Sequence, residues 1–427
     1  MARIIMVWGL WGPYHCRRFE AFRDHAAREG HQAIGVSLFS GSRDNQWGSR
    51  SLPDGVVHLD LGKDETRLPL GKIGSLLAIP RKLRAEIALL PSYFHWSLAL
   101  NAGMRLAGGR VVMMNETHAG TARARGLKAA FKQRVVAGFH AGFVGGGPQK
   151  RYFASLGLPA EKIFAGYDAV DNDYFAAKAA EVRLQTSGFR SRYGLPEHYF
   201  LSLGRFVAKK NLTTLIRAYR KVLDSRQSCQ MHLVMVGSGE EEPQLRALCQ
   251  ELRLPIYDKA GAGIENRKSK IENELPGVHF YGFRQIEENP VFYALAEAFV
   301  LPSLWEEWGL VVNEAMACGL PVVVSKTAGC AEDLLEPCRS PGNHAKATSK
   351  DLEAVRLEVQ CRTNGFVFDP RSAEELSRVL QKLDAAPDMQ RAMGAASRRI
   401  VEKFSCENFA RNALLAAQAA LETRIRR

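Results

Sequence analysis

Short apolar runs alternate with longer amphipathic ones along all 427 residues, and that alternation limits the fold more than any other feature. ARIIMVWG is followed by RRFEAFRDHAAREG and then by HQAIGVSLF. Later RVVMMNE, HAGFVGG, YFLSLGRF, MHLVMVG, GVHFYGF, AEAFVLPS and LPVVVS repeat the pattern. Apolar runs of this length without polar alternation belong to strands buried on both faces, so the sheets should be parallel with helices on either side. The chain is too long for one ordinary core and predicts two domains of roughly 200 residues. The polar, helical stretch AAKAAEVRLQTSGFRSRYGLPEH lies between them, and a new strand series starts at Tyr199. The expected division is 1–182 and 190–404, with 405–427 a helix returning to the first domain. This is an α/β reading: two doubly wound, Rossmann-like domains facing across a cleft, with ligands beyond the carboxyl ends of the strands.

An apolar fraction of 46% with 24% charged residues fits a globular enzyme-sized chain and excludes low-complexity classes. The apolar run at the N-terminus is too short for a signal peptide, and no run approaches the ~18 apolar residues of a membrane span. Eight scattered cysteines form no CxxC pair and no zinc spacing, so free thiols and a cytoplasmic location are expected. Residues 1–180 hold 24 Lys and Arg against 14 Asp and Glu, which places ten of the thirteen net positive charges in the first domain. In THAGTARARGLKAAFKQRVV, Arg123, Arg125, Lys128, Lys132 and Arg134 alternate with apolar residues at helical spacing. That face suits an anionic membrane surface, which would make the chain peripheral on the inner face of the cytoplasmic membrane. A merely solvated helix face is the alternative. Nucleic acid is not expected, because no aromatic platform accompanies the charge.

The stretch LPSLWEEWGLVVNEAMACGLPVVVSKTAG, 301–329, poses the chemical question. AFVLPS reads as a strand, LWEEW as the loop at its carboxyl end, and GLVVNEAMACG as a helix stopped by Gly319. Glu306 and Glu307 then lie at the ligand edge of the sheet. The amides of Gly309, Leu310 and Val311 form a helix N-terminus that attracts phosphate. Glu314, inside the first turns, can accept two hydroxyl hydrogen bonds of a ribose diol. The alternative is that these carboxylates only favour the helix dipole.

Glu306 and Glu314 are separated by seven residues, and EEWGLVVNEAMACGLPVVVS resembles the E-x7-E signature of family 4 glycosyltransferases, retaining enzymes of the GT-B fold. LSLGRFVAKKNLTTLIRAY resembles the family's Gly-Arg…Lys segment, and MHLVMVGSGEEEPQL, GVHFYGF and TNGFVFDP follow in the family's order. The resemblance covers nearly all of 195–420. It implies that Arg205 and Lys210 hold the donor diphosphate, that Glu306 positions the donor sugar, that Glu314 holds the ribose, and that no metal or other cofactor is needed.

The first domain conforms less. Family members commonly carry a Gly-Gly loop after the first strand, where this chain has WGLWGPYH. Gly12 is the candidate for backbone approach to the donor, and Trp8, Trp11, Tyr14 and His15 give the loop an aromatic character suited to an acceptor. VVMMNETHAG brings Asn115, Glu116 and His118 to a strand end. His118 matches the family's sugar-side histidine, with His95 as competitor. Asp171 and Asp173 in VDNDYF have a metal-binding DxD spacing but sit in a turn where the family has a similar Asp turn. FVGGGPQK imitates a dinucleotide fingerprint, with Lys150 in the third glycine's place. Segments 257–275 and 337–362 look like insertions.

The expected activity is transfer of a sugar from a UDP- or GDP-sugar to a hydroxyl of a glycan or lipid-linked acceptor, as in bacterial surface polysaccharide synthesis. Its rivals are a nucleotide-sugar 2-epimerase of the same fold and a non-catalytic nucleotide-sugar sensor.

Overall fold

A computed structural model describes residues 1–40, 51–62, 70–91, 95–123, 126–225, 230–259, 275–338 and 360–422. Two compact units emerge: 1–171 together with the C-terminal stretch from Lys403, and Asn172–Glu402. In the first, β1 (Arg3–Trp8), β2 (Gln32–Ser37), β3 (Val56–His58), β4 (Ile87–Pro91), β5 (Arg110–Asn115), β6 (Ala141–Val144) and β7 (Ile163–Ala165) make a sheet of order β3-β2-β1-β4-β5-β6-β7. Every pairing in it is parallel. The second unit holds β8 (Tyr199–Leu203), β9 (His232–Val236), β10 (Ile256–Asp258), β11 (Val278–Phe280), β12 (Ala298–Leu301), β13 (Val322–Ser325), β14 (Gln360–Arg362) and β15 (Gly365–Phe368). Their order is β10-β11-β9-β8-β12-β13-β15-β14, parallel except for the antiparallel edge pair β14–β15. The strand order reverses between β1 and β4 in one sheet and between β8 and β12 in the other. These are the switch points where open α/β sheets bind ligands.

The apolar runs are strands because both their faces are covered. All of β9, β12 and β13 is buried, as is all of β1 after Arg3. The helix Cys406–Leu421 completes the first unit. Ser405 caps it by accepting from Asn408 N–H at 3.2 Å. The helix packs on Pro13–Arg28 and across the middle strands of the first sheet. Phe409 lies 5.0 Å from Phe143, ring to ring, within a core that also takes Ala413, Leu414 and Ala417.

The division between units falls at Asp171, ahead of the polar stretch 176–198. The helix Asn172–Leu184 buries Phe175, Ala179 and Val182 against helices Asn289–Ala294 and Leu310–Ala317. Arg183 also donates to Cys318 O at 2.7 Å, fixing the end of that last helix. The proposed insertions lie largely outside the described residues, as does Arg125.

One buried pair gives a pH prediction. His279 on β11 has no exposed surface, His232 on the neighbouring β9 has 6%, and their ring nitrogens meet at 2.9 Å. Burial, and then the neighbouring charges, push His279 down to about 2 and His232 down to about 4. Both are neutral when folded, while the unfolded chain protonates them near the ordinary histidine value of about 6.5. Stability is therefore fully present above that pH and falls as pH drops below it, by up to about 1.4 kcal/mol per pH unit for each histidine. Urea midpoints between pH 8 and 5 should decline in wild type, and the decline should shrink in His232→Gln.

Candidate functional site

At the second sheet's switch point, Gly204, Arg205, Phe206 and Lys210 from the β8 loop and Leu301 and Pro302 from β12 line a small pocket. The β8 loop closes in a short 3₁₀ turn, Ala208–Lys210, which ends on Asn211 in the left-handed region at φ 54°. Asn211 Nδ2 donates to Pro302 O at 3.0 Å and Pro370 O at 2.7 Å, and Leu304 N–H donates to Lys209 O at 2.8 Å. The loops after β8 and β12 are thus bolted together through backbone. Arg205 projects exposed from this rim.

Glu306 stands across from the turn, with 7% of its surface exposed. Lys210 Nζ contacts its Oε2, Lys209 Nζ lies 3.1 Å from Oε1, and Ser303 Oγ donates to Oε2 at 3.2 Å. Its backbone bridges to Ala328, and its carbonyl accepts from Gly329 N–H at 3.0 Å. Burial would push the carboxyl up, but Lys210 and then Lys209 outweigh it and hold Glu306 below the usual carboxylate range. Lys209 also reaches Glu307 Oε2 at 2.9 Å. Buried ion pairs of this kind repay their desolvation poorly, so so many charges in so little water point to binding or catalysis rather than to stability.

Gly309 adopts φ 108°, a left-handed conformation that favours glycine, and starts the helix Leu310–Ala317. Leu310 and Val311 are half-buried in its first turn. Glu314 is a different kind of carboxylate from Glu306. It has no exposed surface, and its Oε2 accepts from Tyr293 OH at 2.9 Å. Trp308 is buried ahead of Gly309 and donates to Oδ1 of Asn313, the residue before Glu314, at 2.9 Å.

In the first unit, Gly12 precedes the helix Pro13–Arg28 at the β1 end, and its N–H donates to His15 Nδ1 at 3.0 Å. The aromatic loop is not an open surface. Trp8 and Trp11 are buried edge to face, with indole N–H groups donating to Tyr167 OH and Val36 O, both at 3.0 Å. Their bulk fills the core, which corrects the reading of those two rings as acceptor contacts. His118 is 8% exposed after β5, and its Nδ1 accepts from Gly120 N–H at 3.2 Å. Asp171 pairs with Arg17 Nε at 2.7 Å, while Asp173 opens the helix of the other unit. The sequence reading missed Lys209, Asn211 and the buried Arg18, which donates to Ala169 O at 2.8 Å and lies 3.8 Å from Asp168. The doubled lysine and the doubled glutamate are visible in the sequence, but that they face one another is not.

Residues 197–384 match the family model described as Glycosyl transferases group 1. An O-antigen chain mannosyltransferase B of Escherichia coli is 27% identical over 41% of this chain and 40% of its own length. The chain spans about half or less of the length of the curated relatives it matches. Among solved structures, a glycosyltransferase from Rickettsia africae superposes with a TM-score of 0.69 at 16% identity, covering 99% of both chains. Anabaena Alr3699/HepE, solved in complex with UDP, gives 0.65 at 16% identity over 98% of this chain and 100% of that one. The architecture is the GT-B fold, two Rossmann-like parallel sheets, shared with these glycosyltransferases.

Proposed function

We propose that the chain is a retaining glycosyltransferase of family 4 that transfers a sugar from a UDP- or GDP-sugar to a hydroxyl of a glycan or lipid-linked acceptor in surface polysaccharide synthesis. The observation that carries this reading is the Arg205–Lys210–Glu306 group at the β8–β12 switch point. Arg205, Lys210 and the helix start at Gly309–Val311 hold the diphosphate and stabilise it as it leaves; each charge-assisted bond contributes roughly 1.5–3 kcal/mol. Glu306, ionised at neutral pH, faces the sugar as it becomes cationic. The acceptor oxygen attacks from the side the diphosphate leaves, and a phosphate oxygen takes its proton, which preserves the anomeric configuration. Glu314 holds the ribose, which requires the groups covering it to move aside. Gly12 meets the diphosphate by backbone and His118 the donor sugar.

The cations are supplied by the chain, so activity is expected without a metal. A donor among a panel of UDP- and GDP-sugars should stabilise the protein in excess EDTA by roughly 2.7 kcal/mol at a hundredfold the dissociation constant, read as a rise in melting point. With acceptor, product NMR should show the donor's anomeric configuration retained. Activity lost to EDTA and restored by manganese would transfer the chemistry to a metal. Epimerised donor formed without acceptor would favour the epimerase, and binding without any turnover the sensor.

A membrane-bound acceptor is supported by the helix Leu127–Val136. Leu127 and Phe131 stand outward at 91% and 64% exposure, flanked by exposed Arg123, Lys128 and Arg134. Lys132 instead covers the Tyr152 ring at 4.8 Å. Among the described residues no helix is long and apolar enough to cross a membrane, and the attachment proposed is peripheral. Vesicles with anionic lipid should retain the protein at low salt, each basic residue contributing about 1 kcal/mol. Charge reversal at Arg123, Lys128 and Arg134 should release it; equal binding to neutral vesicles would remove the electrostatic account.

A further inference from the structure

The sequence doubles both charges of the site: Lys209 beside Lys210, and Glu306 beside Glu307. The structure gives the extra lysine a distinct place. Lys209 and Lys210 approach opposite oxygens of one carboxylate, Oε1 and Oε2 of Glu306. Lys209 is held on its far side by Glu307, and its backbone is fixed by Leu304 N–H. Glu306 and Lys210 expose 10% and 13% of their side chains, Lys209 20%, and Glu307 39%. An exposed ion pair such as Lys209–Glu307 taken alone would do little. A buried carboxylate that must share one of its two cations is another matter.

Lys210 cannot serve the donor's diphosphate fully while it neutralises Glu306. When it turns to the phosphates, a carboxylate with one-tenth of its surface in water would lose its nearest cation. Such an orphaned charge is strongly unfavourable, and the cost would be subtracted from donor binding. We propose that Lys209 is a positioning residue that keeps Glu306 paired, oriented and ionised while Lys210 is engaged by the diphosphate. Glu307 anchors Lys209 so that its ammonium stays on the Glu306 side rather than following the phosphates. This inference rests on the donor site proposed above and adds to it a division of labour between the two lysines.

The test is the dissociation constant of UDP and of GDP, measured by calorimetry on the full chain in wild type, K209M, K209R, E306Q and K209M/E306Q. In K209M the binding of the preferred nucleotide should weaken about tenfold or more near pH 7.5. The ratio to wild type should narrow near pH 5.5, because Glu306, released from its second cation, takes up a proton more readily. K209R should bind close to wild type. In the E306Q background K209M should cost almost nothing, since no carboxylate remains to be orphaned. Equal losses in both backgrounds would make Lys209 a direct phosphate ligand or a structural residue and would overturn the proposal, as would unchanged binding in K209M. If wild type binds neither nucleotide, the donor site itself falls and this inference with it. Melting curves on every variant confirm the fold, and K209R keeps the test valid if K209M melts early.

Discussion

Sugar transfer by Glu306→Gln is expected to fall by about two to three orders of magnitude, with nucleotide affinity largely kept. The substitution preserves shape and hydrogen bonding but removes the negative charge proposed to face the sugar. Interactions that strengthen only as charge develops appear in kcat rather than KM. Glu314→Gln should behave oppositely and chiefly raise the donor's KM, because the ribose proposed to bind it would be held equally in ground and transition states. Glu307→Gln should leave kcat near wild type and weaken donor binding less than K209M does, since Lys209 loses its anchor but keeps its contact with Glu306. Steady-state kinetics on the three variants, at verified fold, distinguish these outcomes. A silent Glu306→Gln beside a crippled Glu307→Gln would shift the frame in which the motif is read.

Gly237→Ala is expected to be the most destabilising single methyl addition near the site. Gly237 follows β9 with φ 140°, and a Cβ there would lie 1.9 Å from Gly204 O. The close approach is fixed on both sides: Gly204 N–H donates to Val236 O at 2.9 Å and Gly237 N–H to Gly282 O at 2.8 Å. Strain and clash together should cost about 3–5 kcal/mol, of order 10 °C in Tm for a unit of this size. Relief can come only by pushing away Gly204, and with it Arg205, so UDP or GDP affinity should fall too. Gly188→Ala is the contrast. Gly188 lies in the helix Thr186–Tyr193 with nothing within 4 Å of an added Cβ, and alanine there should stabilise by about 0.5–1 kcal/mol. Thermal melts of the two variants that moved alike would contradict this account.

The strands were legible because each doubly covered strand is itself an apolar run, so RIIMVW and HLVMV needed no partner to be recognised. The helix start at Gly309 was approachable through the strand–loop–helix pattern of 301–319, and Lys210 through the Gly-Arg…Lys segment. Lys209 was not, because its role depends on β8 lying beside β12, a neighbour relation across nearly a hundred residues. Trp8 and Trp11 misled for a similar reason. An aromatic pair after a strand looks the same in sequence whether it faces ligand or core, and the hydrogen bonds to Tyr167 and Val36 that decide the matter come from distant parts of the chain. The early boundary escaped because three buried side chains suffice to tie 172–184 to the second unit.

The first unit is assembled from the two ends of the described chain, with Asn172–Glu402 inserted between them. That arrangement sets an order of events on the ribosome. At about 5–20 residues per second, roughly 10–50 s pass between emergence of the first sheet and emergence of the helix Cys406–Leu421 that covers it. Domains commonly fold faster than this, and the inserted unit, whose last residue precedes that helix by only a few positions, can begin to fold while its host still waits. During that interval the surface around Phe143 and Tyr167, which Phe409 later fills, is exposed to any chaperone or neighbouring nascent chain able to bind apolar surface.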